Sequence, residues 1–278
     1  MSEAYRQLLE ATIQHLEELK EQQVQFVSVR PETLAALAAP AGTVKSGPSR
    51  PTASASAAPT PPPQRAAPLP VEAKVQAMAE LRSRAVVCEK CPHLARSRKG
   101  VVFGVGDVNS PLMFIGEAPG VDEDEQGEPF VGRAGQLLTR IIGTMGFSRD
   151  TVYIANVLKC RPDTPGHTTG NRAPTPKEIE TCLPWLLEQI AIIQPKVIVA
   201  LGATAVKGLL GQGSGITRLR GQWQGFRGIP VMPTFHPSFL LRPENVNKKR
   251  LVWEDMLQVM EKLGLPISEK QRSYFLKA

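Results

Sequence analysis

The sequence contains a short apolar run of strand type, Leu-Met-Phe-Ile at 112–115, that stops at a polar, turn-forming Gly-Glu-Ala-Pro-Gly. In open α/β sheets, ligands bind in the crevice beyond the carboxyl ends of the strands. Two later apolar runs have the same layout, since one ends at Asn156 and the other ends at His236. We therefore expect Glu117, Asn156 and His236 to lie on one rim of a sheet.

From residue 71 onward, predicted strands alternate with predicted helices. The strands are expected at 112–116, 152–157, 196–201 and 230–235. Because a helix between two strands makes a right-handed crossover, this alternation predicts a parallel sheet that is covered on both faces. The predicted fold is a three-layer α/β/α sandwich with a four-stranded, mainly parallel sheet.

The chain before residue 71 has a different composition. Residues 3–22 place apolar side chains at helical spacing, which predicts an amphipathic helix. Residues 39–70 are almost entirely Ala, Pro, Ser, Thr and Gly, so they are predicted to form an extended linker without a core. The chain thus divides into a helical extension (1–38), the linker, and a folded domain (71–278). We interpret the extension as a frayed or weakly self-associating segment, with binding to an unidentified protein partner as the alternative.

The formal net charge of +7 indicates a polyanionic partner, because basic surfaces attract phosphate backbones. Glutamates among the first apolar residues leave no signal-peptide core, and no run elsewhere is long enough to cross a bilayer. We therefore expect a cytoplasmic protein without a membrane partner.

All four cysteines lie in the predicted folded domain. Cys88 and Cys91 form a C-x-x-C clip, Cys160 follows the strand that ends at Asn156, and Cys182 lies in the next helix. In a cytosolic chain such a set is more typical of a metal site than of disulfides, and four unrelated buried cysteines are the alternative. Zinc and a four-iron, four-sulfur cluster both accept four thiolates, and the spacing does not distinguish them.

The motifs of the domain occur in a specific order. They are Cys-x-x-Cys, Gly-Glu-Ala-Pro-Gly, Gly-Glu-Pro-Phe-Val-Gly-Arg-Ala-Gly, Asn-Val-Leu-Lys-Cys-Arg-Pro, Gly-Asn-Arg and His-Pro-Ser-Phe-Leu-Leu-Arg. From about residue 86 to residue 263, this series resembles the family 4 uracil-DNA glycosylases, the iron–sulfur branch of their superfamily. The resemblance implies that residues 71–278 are a catalytic domain that excises uracil from DNA and so begins base-excision repair. It does not cover residues 1–70.

The resemblance also implies the cofactor and the substrate. It points to a 4Fe-4S cluster rather than zinc, held by Cys88, Cys91, Cys160 and Cys182, and to uracil-containing DNA as the partner of a monomeric enzyme. We expect a monofunctional hydrolase that leaves an abasic site, because no lysine is recognisably placed as a Schiff-base nucleophile.

Uracil excision requires that a flipped-out base is held, that its edge is read, and that negative charge on the departing base is stabilised. Asn156 is expected to pair with N3–H and O4 of uracil, a pattern that cytosine reverses. Phe130 is expected to stack on the base, with Gly116 and Ala118 beside it. His236 is expected to donate a hydrogen bond to uracil O2 as charge develops.

The roles of two acidic features are open or minor, and the segment after His236 is expected to contact DNA. Glu117 either places water and bounds the pocket or is a turn carboxylate bonded to backbone amides. The acidic run 122–125 is interpreted as a solvated loop, because adjacent carboxylates repel DNA. Ser238 is expected to contact phosphate, while Leu240, Leu241 and Arg242 are expected to form a wedge that fills the space left by the flipped base.

Two alternatives keep the same fold, namely a non-catalytic DNA-binding protein and a protein that traps uracil-containing DNA covalently. A related branch of the superfamily uses a histidine in a lengthened loop to trap the sugar, and His167 lies in a long Gly-rich loop here. However, His167 falls several residues before the matching position, where the ordinary Gly-Asn-Arg is retained. We therefore expect turnover without a stable adduct.

Overall fold

A computed structural model of the chain describes residues 69–163, 171–211 and 215–276. The predicted helical extension (1–38) and all of the predicted linker (39–70) except its end lie outside these residues. The division of the chain into extension, linker and domain therefore stays a prediction. In the described ranges, no helix has both the length and the apolar character that are needed to span a membrane.

Helices and strands alternate along the described chain as the sequence predicts. The helices are α1 (Val71–Val86), α2 (Pro92–Ser97), α3 (Val121–Gln126), α4 (Arg133–Thr144), α5 (Pro176–Ile193), α6 (Ala203–Leu210), α7 (Ile216–Leu219), α8 (Pro237–Leu240), α9 (Lys249–Lys262) and α10 (Glu269–Ser273). A 3-10 helix, Pro243–Lys248, lies between α8 and α9. The strands are β1 (Val105–Gly106), β2 (Leu112–Gly116), β3 (Tyr153–Asn156), β4 (Val197–Leu201), β5 (Gln224–Phe226) and β6 (Ile229–Thr234).

In the described part of the chain, the strands form one sheet in the order β1-β3-β2-β4-β6-β5. The central strands β3, β2, β4 and β6 are parallel, whereas β1 and β5 pair antiparallel at the two edges. The α/β sandwich with a mainly parallel sheet is confirmed, but the sheet has six strands rather than the expected four. The two edge strands are only two and three residues long and lie among glycines, so no hydrophobic alternation marks them in the sequence.

The core lies on both faces of the sheet, and strand β2 contributes to both. Leu112 and Phe114 pack on one face in a cluster with residues of α4 and α9. Met113 and Ile115 pack on the other face with residues of α1, α5 and α6. All four side chains are fully buried. Since burial of such a side chain contributes about 1.5–3 kcal/mol to folding, the alternating apolar residues of β2 fix the three layers.

The chain leaves the two central strands of the sheet in opposite directions. β2 and β4 are neighbours, but the chain leaves β2 towards β3 and leaves β4 towards β6. The loops that follow β2 and β4 therefore separate, which opens a crevice at the carboxyl ends of these strands. One contact links the two sides of this crevice. The hydroxyl of Thr204, in the first turn of α6 after β4, donates a hydrogen bond to the carboxylate of Glu117 in the loop after β2.

Candidate active site

A pocket of about 410 Å³ opens at the carboxyl ends of the parallel strands. This volume is in the range of sites that bind small ligands. Its lining includes most of the site residues predicted from the sequence: Glu117, Ala118, Phe130, Asn156, His236, Ser238 and Arg242. Side chains that are far apart in the sequence therefore meet in one cavity, because the parallel strands carry them all to one edge of the sheet.

Asn156 is the last residue of β3, and its side chain is almost completely buried. Among the described residues, its Oδ1 is the one buried side-chain nitrogen or oxygen without a hydrogen-bond partner. Nearly all buried polar groups in folded proteins are paired, because an unpaired one costs about 1–3 kcal/mol. An acceptor left unpaired in the wall of a pocket is therefore suited to a ligand that carries an N–H group.

Gly116, the last residue of β2, lies beside Asn156 in the parallel register. A Cβ atom at this position would collide both with Oδ1 of Asn156 and with the ring of Phe130. Gly116 is not in the lining of the pocket, but its lack of a side chain lets Asn156 and Phe130 approach each other.

Phe130 precedes α4 and is buried, with its backbone in the left-handed region at a φ of 57°. Its ring centroid lies 5.5 Å from that of His236, with an angle of 32° between the two planes. The two rings thus form adjacent walls of the pocket, next to the amide of Asn156. A planar ligand in the pocket can stack on the face of Phe130 that lines it.

His236 caps the N-terminus of α8, and this capping contact fixes its tautomer. The backbone N–H of Ser238 donates a hydrogen bond to Nδ1 of His236 at 3.2 Å, so Nδ1 is an acceptor. Burial lowers the pKa of His236 to about 4, and the ring is therefore neutral near pH 7. The remaining proton of the neutral ring lies on Nε2, which makes Nε2 a hydrogen-bond donor.

The residues expected to contact DNA lie around the rim of the pocket. The Ser238 hydroxyl is exposed and lies 2.8 Å from Nδ1 of His236, while Arg242 is an exposed residue of the lining. Leu240, the last residue of α8, is buried, which does not agree with its expected part in a wedge. Leu241 directly follows α8 and is half-buried, and it is not in the lining of the pocket.

The acidic run 122–125 is not the solvated loop that was expected, since it forms most of helix α3. Asp124 is buried and accepts hydrogen bonds from the backbone N–H of Lys99 at 3.1 Å. Glu123 lines the pocket and binds backbone amides. A run of charges gives no sign of such long-range partners, which explains why sequence reasoning missed it.

Two further lining residues, Asn171 and Arg172, belong to the Gly-Asn-Arg motif but had no role assigned from the sequence. Oδ1 of Asn171 accepts a hydrogen bond from Nε of Arg161 at 2.9 Å. Arg172 is paired with the buried carboxylate of Glu178 in α5, and this pairing holds the pKa of Glu178 well below its usual range. The preceding residues 164–170, which contain His167, lie outside the described part of the chain.

The four cysteines line a second, smaller pocket, formed by the segment between α1 and α2, the end of β3 and helix α5. Cys160 and Cys182 are buried, and Cys88 and Cys91 are half-buried. Arg98 donates to the Cys160 sulfur at 3.0 Å, and the backbone N–H of Lys159 donates to the Cys182 sulfur at 3.2 Å. Such donors stabilise negative charge on sulfur, as metal-bound thiolates require.

Burial bears on the charge of the thiols in the second pocket. In the described ranges, no group of three or more His, Cys, Asp or Glu side chains is arranged as a site for a metal ion. Burial raises the pKa of Cys182 to about 12 and also raises the pKa of Cys160. Thiolates at these buried positions therefore need a positive counter-charge close to the sulfurs.

Comparison with known proteins identifies the family. A family model of the Uracil DNA glycosylase superfamily matches residues 103–257, which is more than half of the chain. A type-4 uracil-DNA glycosylase of Thermotoga maritima is 48% identical over 173 residues, which cover 61% of this chain and 85% of that protein.

Two archaeal relatives cover more of the chain. A type-4 uracil-DNA glycosylase of Sulfurisphaera tokodaii is 39% identical over 213 residues, or 73% of this chain and 91% of the relative. Another, from Archaeoglobus fulgidus, is 37% identical over 199 residues, or 68% of this chain and 92% of the relative. The resemblance read from the motifs is confirmed, and this chain belongs to the uracil-DNA glycosylase superfamily, in its type-4 branch.

Proposed function

We propose that this protein is a monofunctional DNA glycosylase that flips uracil out of DNA and hydrolyses its N-glycosidic bond. The observation that carries the proposal is the buried, unpaired Oδ1 of Asn156 in a pocket of about 410 Å³. Family membership and the names of the type-4 relatives support the same activity.

Asn156 would select the base through its amide group. Its Oδ1 would accept the N3–H of uracil, and its Nδ2 would donate to O4. Cytosine presents an unprotonated N3 and an amino group at these two positions. An acceptor would then face the acceptor Oδ1, and a donor would face the donor Nδ2. Because the site is buried, the mismatched groups would have no water to bind, which makes the discrimination large.

Phe130 and His236 would act on the bound base from two sides. The ring of Phe130 would stack on the base, since it forms the pocket wall beside Asn156. Nε2–H of the neutral His236 ring would donate to uracil O2, where negative charge grows as the C1′–N1 bond breaks. A donor that is fixed before the reaction, here by the contact between Ser238 and Nδ1, stabilises that charge without reorganisation.

Glu117 is our candidate for placing the attacking water at the sugar. Its carboxylate is held by the hydroxyl of Thr204 at the mouth of the crevice. One carboxylate oxygen is bonded in this way, and the side chain still lines the pocket, where a water molecule can reach it. Arg242, Ser238 and Leu241 would contact the DNA around the flipped nucleotide.

An abasic site is the expected product. Schiff-base chemistry requires a free amine at the sugar. Lys159 follows the β3 strand closely, but its Nζ donates to the main-chain oxygen of Asn156 at 2.9 Å and to Gln189 at 2.6 Å. Both acceptors bind this Nζ in the interior, and Lys159 is not among the residues that line the pocket.

The second pocket would hold the iron–sulfur cluster that is expected for the type-4 branch. Each iron of a four-iron cluster takes one thiolate, so four thiols around a shared cavity fit it. Cys88, Cys91, Cys160 and Cys182 would be the ligands, with Arg98 donating to Cys160. When bound, the cluster would supply a structural cross-link between three segments of the chain, and uracil excision would proceed without it taking part.

The proposal is tested with an oligonucleotide that contains one uracil. The protein is incubated with this DNA, and alkali then cleaves the strand at any abasic site. We expect scission at the uracil and none at a cytosine in the same position. Binding without scission would favour a non-catalytic protein, and a protein–DNA band that resists denaturation would favour a covalent trap. Either result would contradict the proposal.

A further inference from the structure

Glu123 connects the two loops that carry the base-binding side chains. It lies in α3, and its Oε2 accepts a hydrogen bond from the backbone N–H of Gly120 at 3.0 Å, in the turn after β2. Its Oε1 accepts from the backbone N–H groups of Val131 and Gly132, both at 3.0 Å, in the loop that contains Phe130. One carboxylate thus bridges the Gly-Glu-Ala-Pro-Gly turn and the loop before α4.

The same loop is also held by a guanidinium group. Nη2 of Arg149 donates to the carbonyl oxygen of Pro129 at 2.7 Å, and Nη1 donates to that of Phe130 at 2.9 Å. The carbonyl groups before the turn therefore bind a cation, and the amide groups after it bind an anion. Hydrogen bonds to charged partners are stronger than those between neutral groups.

These contacts surround a backbone conformation that an aromatic residue rarely adopts. Phe130 has a φ of 57°, which is unfavourable for any residue with a Cβ atom. Such a conformation persists only where several neighbouring interactions determine it. Gly135 shows how closely the loop is packed, because a Cβ atom there would collide with the carbonyl group of Phe130.

We propose that Glu123, together with Arg149, is a positioning residue for uracil excision: it holds the Phe130 loop so that the ring stands over the base. This inference rests on the proposed glycosylase function. Glu123 is not proposed as a base or as a water ligand, because both of its oxygens are bonded to backbone amides.

The first test is the rate of excision by Glu123→Ala at saturating uracil-containing DNA. Displacement of a group near the reacting atoms by about 1 Å can lower a rate by about a hundredfold, so we expect a fall of about tenfold to a hundredfold. The dissociation constant for abasic-site DNA should stay within about twofold, because the phosphate contacts lie elsewhere on the rim. Glu123→Gln is a milder variant. Its amide oxygen can still accept a hydrogen bond from one loop, but its amide NH2 group then faces the backbone N–H of the other loop. We therefore expect an intermediate rate.

Glu125→Ala is the matched control, because it removes the same charge from the same helix. Glu125 is exposed and, among the residues that the structure describes, its carboxylate pairs only with Lys99. We expect excision at the parental rate. If the parental protein and this control are both inactive, the proposed function and the positioning role fail together. If both are active and the Glu123 variants are equally active, only the positioning role is wrong.

A double-mutant cycle with Phe130→Ala separates positioning from a general loss of folding. If Glu123 acts through Phe130, removal of its carboxylate should add little once the ring is gone. We therefore expect the double variant to be within about threefold of Phe130→Ala, although each single variant is much slower than the parent. Rate losses that multiply in the double variant would show that Glu123 acts independently of the ring, and would overturn the inference.

Discussion

Nζ of Lys159 donates a hydrogen bond to the main-chain carbonyl oxygen of Asn156, 2.9 Å away, in the interior of the protein. The same Nζ donates to Oε1 of Gln189 in α5 at 2.6 Å, and Nε2 of Gln189 donates to the carbonyl oxygen of Phe103 at 2.9 Å. The end of β3, which carries the amide that we propose reads the base, is thereby tied to α5, the helix that contributes Cys182.

Replacement of Lys159 by methionine should destabilise the protein. Methionine fills much of the same volume, but it leaves the carbonyl of Asn156 and the Oε1 of Gln189 without this donor in a buried site. We expect the free energy of unfolding to fall by about 2 kcal/mol in urea titrations, with an unchanged m-value. Lys177→Met is the matched control, since Lys177 is an exposed residue of α5 whose side chain pairs with Glu180 at the surface. Its effect should be below about 0.5 kcal/mol, and an equal effect of both variants would contradict the prediction.

Asn156→Ala should reduce excision far more than it reduces DNA binding. The variant loses the acceptor for N3–H and the donor for O4, at a cost of about 1–3 kcal/mol in the transition state. Single-turnover excision of uracil should therefore slow by about tenfold to a hundredfold, while the affinity for abasic-site DNA stays close to that of the parent. Asn109→Ala, in the loop before β2, serves as a control. Excision by the Asn156 variant at the parental rate would show that another group reads the base.

Asn156 and His236 could be placed in the pocket from sequence patterns alone, because each stands at the end of an apolar run. Asn156 and His236 are recognisable because buried parallel strands are short, apolar and bounded by turn residues. Their convergence follows from topology, since parallel strands present their carboxyl ends at one edge. These residues required only local patterns and the order of the elements.

The partners that complete the site could not be predicted in this way. Glu123 stands in a run of acidic residues, where each member has the pattern of a solvated charge, and its bonds to the loop of Phe130 depend on how α3 and α4 pack. Lys159 is fully buried although lysine is almost always exposed, because its Nζ finds one acceptor in its own turn and a second in Gln189 of α5. The edge strand β1 (Val105–Gly106) is too short to show a period. In each case the structure is determined by tertiary contacts that leave no trace in the neighbouring sequence.

The stability of the protein should respond to the titration of His236. Burial lowers the pKa of His236 to about 4, whereas an unfolded chain has a histidine pKa of about 6.5. Between these values the unfolded state binds a proton that the folded state does not, so this contribution to stability is complete above about pH 6.5 and is lost as the pH falls towards 4. We expect the stability of the parent relative to His236→Gln to fall by on the order of 1–2 kcal/mol over this window, because water at the pocket mouth reduces the full effect. Urea unfolding at several pH values measures it, and a difference that does not change with pH would be the contrary result.

The cysteine pocket should contain iron in protein purified without oxygen. We expect about four irons per chain and a brown colour, as for a cluster with four thiolate ligands. Cys88→Ser should lose iron and unfold at a lower temperature, because the segment before β1 is then no longer tied to Cys160 and Cys182. Thr181→Ser is a control at the same pocket and should retain its iron. Stoichiometric zinc without iron in the anaerobic preparation would refute the assignment.

His167 should be dispensable for excision, and the parental protein should form no stable adduct with DNA. The position at which a related branch of the superfamily carries its trapping histidine corresponds to the Gly-Asn-Arg motif, and here that motif has other partners. Asn171 accepts from Arg161 and forms a β-bridge with Asp163, and Arg172 is paired with the buried Glu178. These contacts fix the end of the loop as part of the pocket wall, where a neutral amide cannot attack the sugar.

The measurement is a denaturing gel of parent and His167→Ala after incubation with uracil-containing oligonucleotide. We expect multiple turnovers, no protein–DNA band that survives denaturation, and rates within about twofold of each other, as is usual for a substitution without a specific packing or hydrogen-bonding role. A resistant band in the parent that disappears in His167→Ala would require a covalent bond between that imidazole and C1′ of the sugar. The protein would then be consumed in one reaction, and the water-placing role of Glu117 would have to be abandoned.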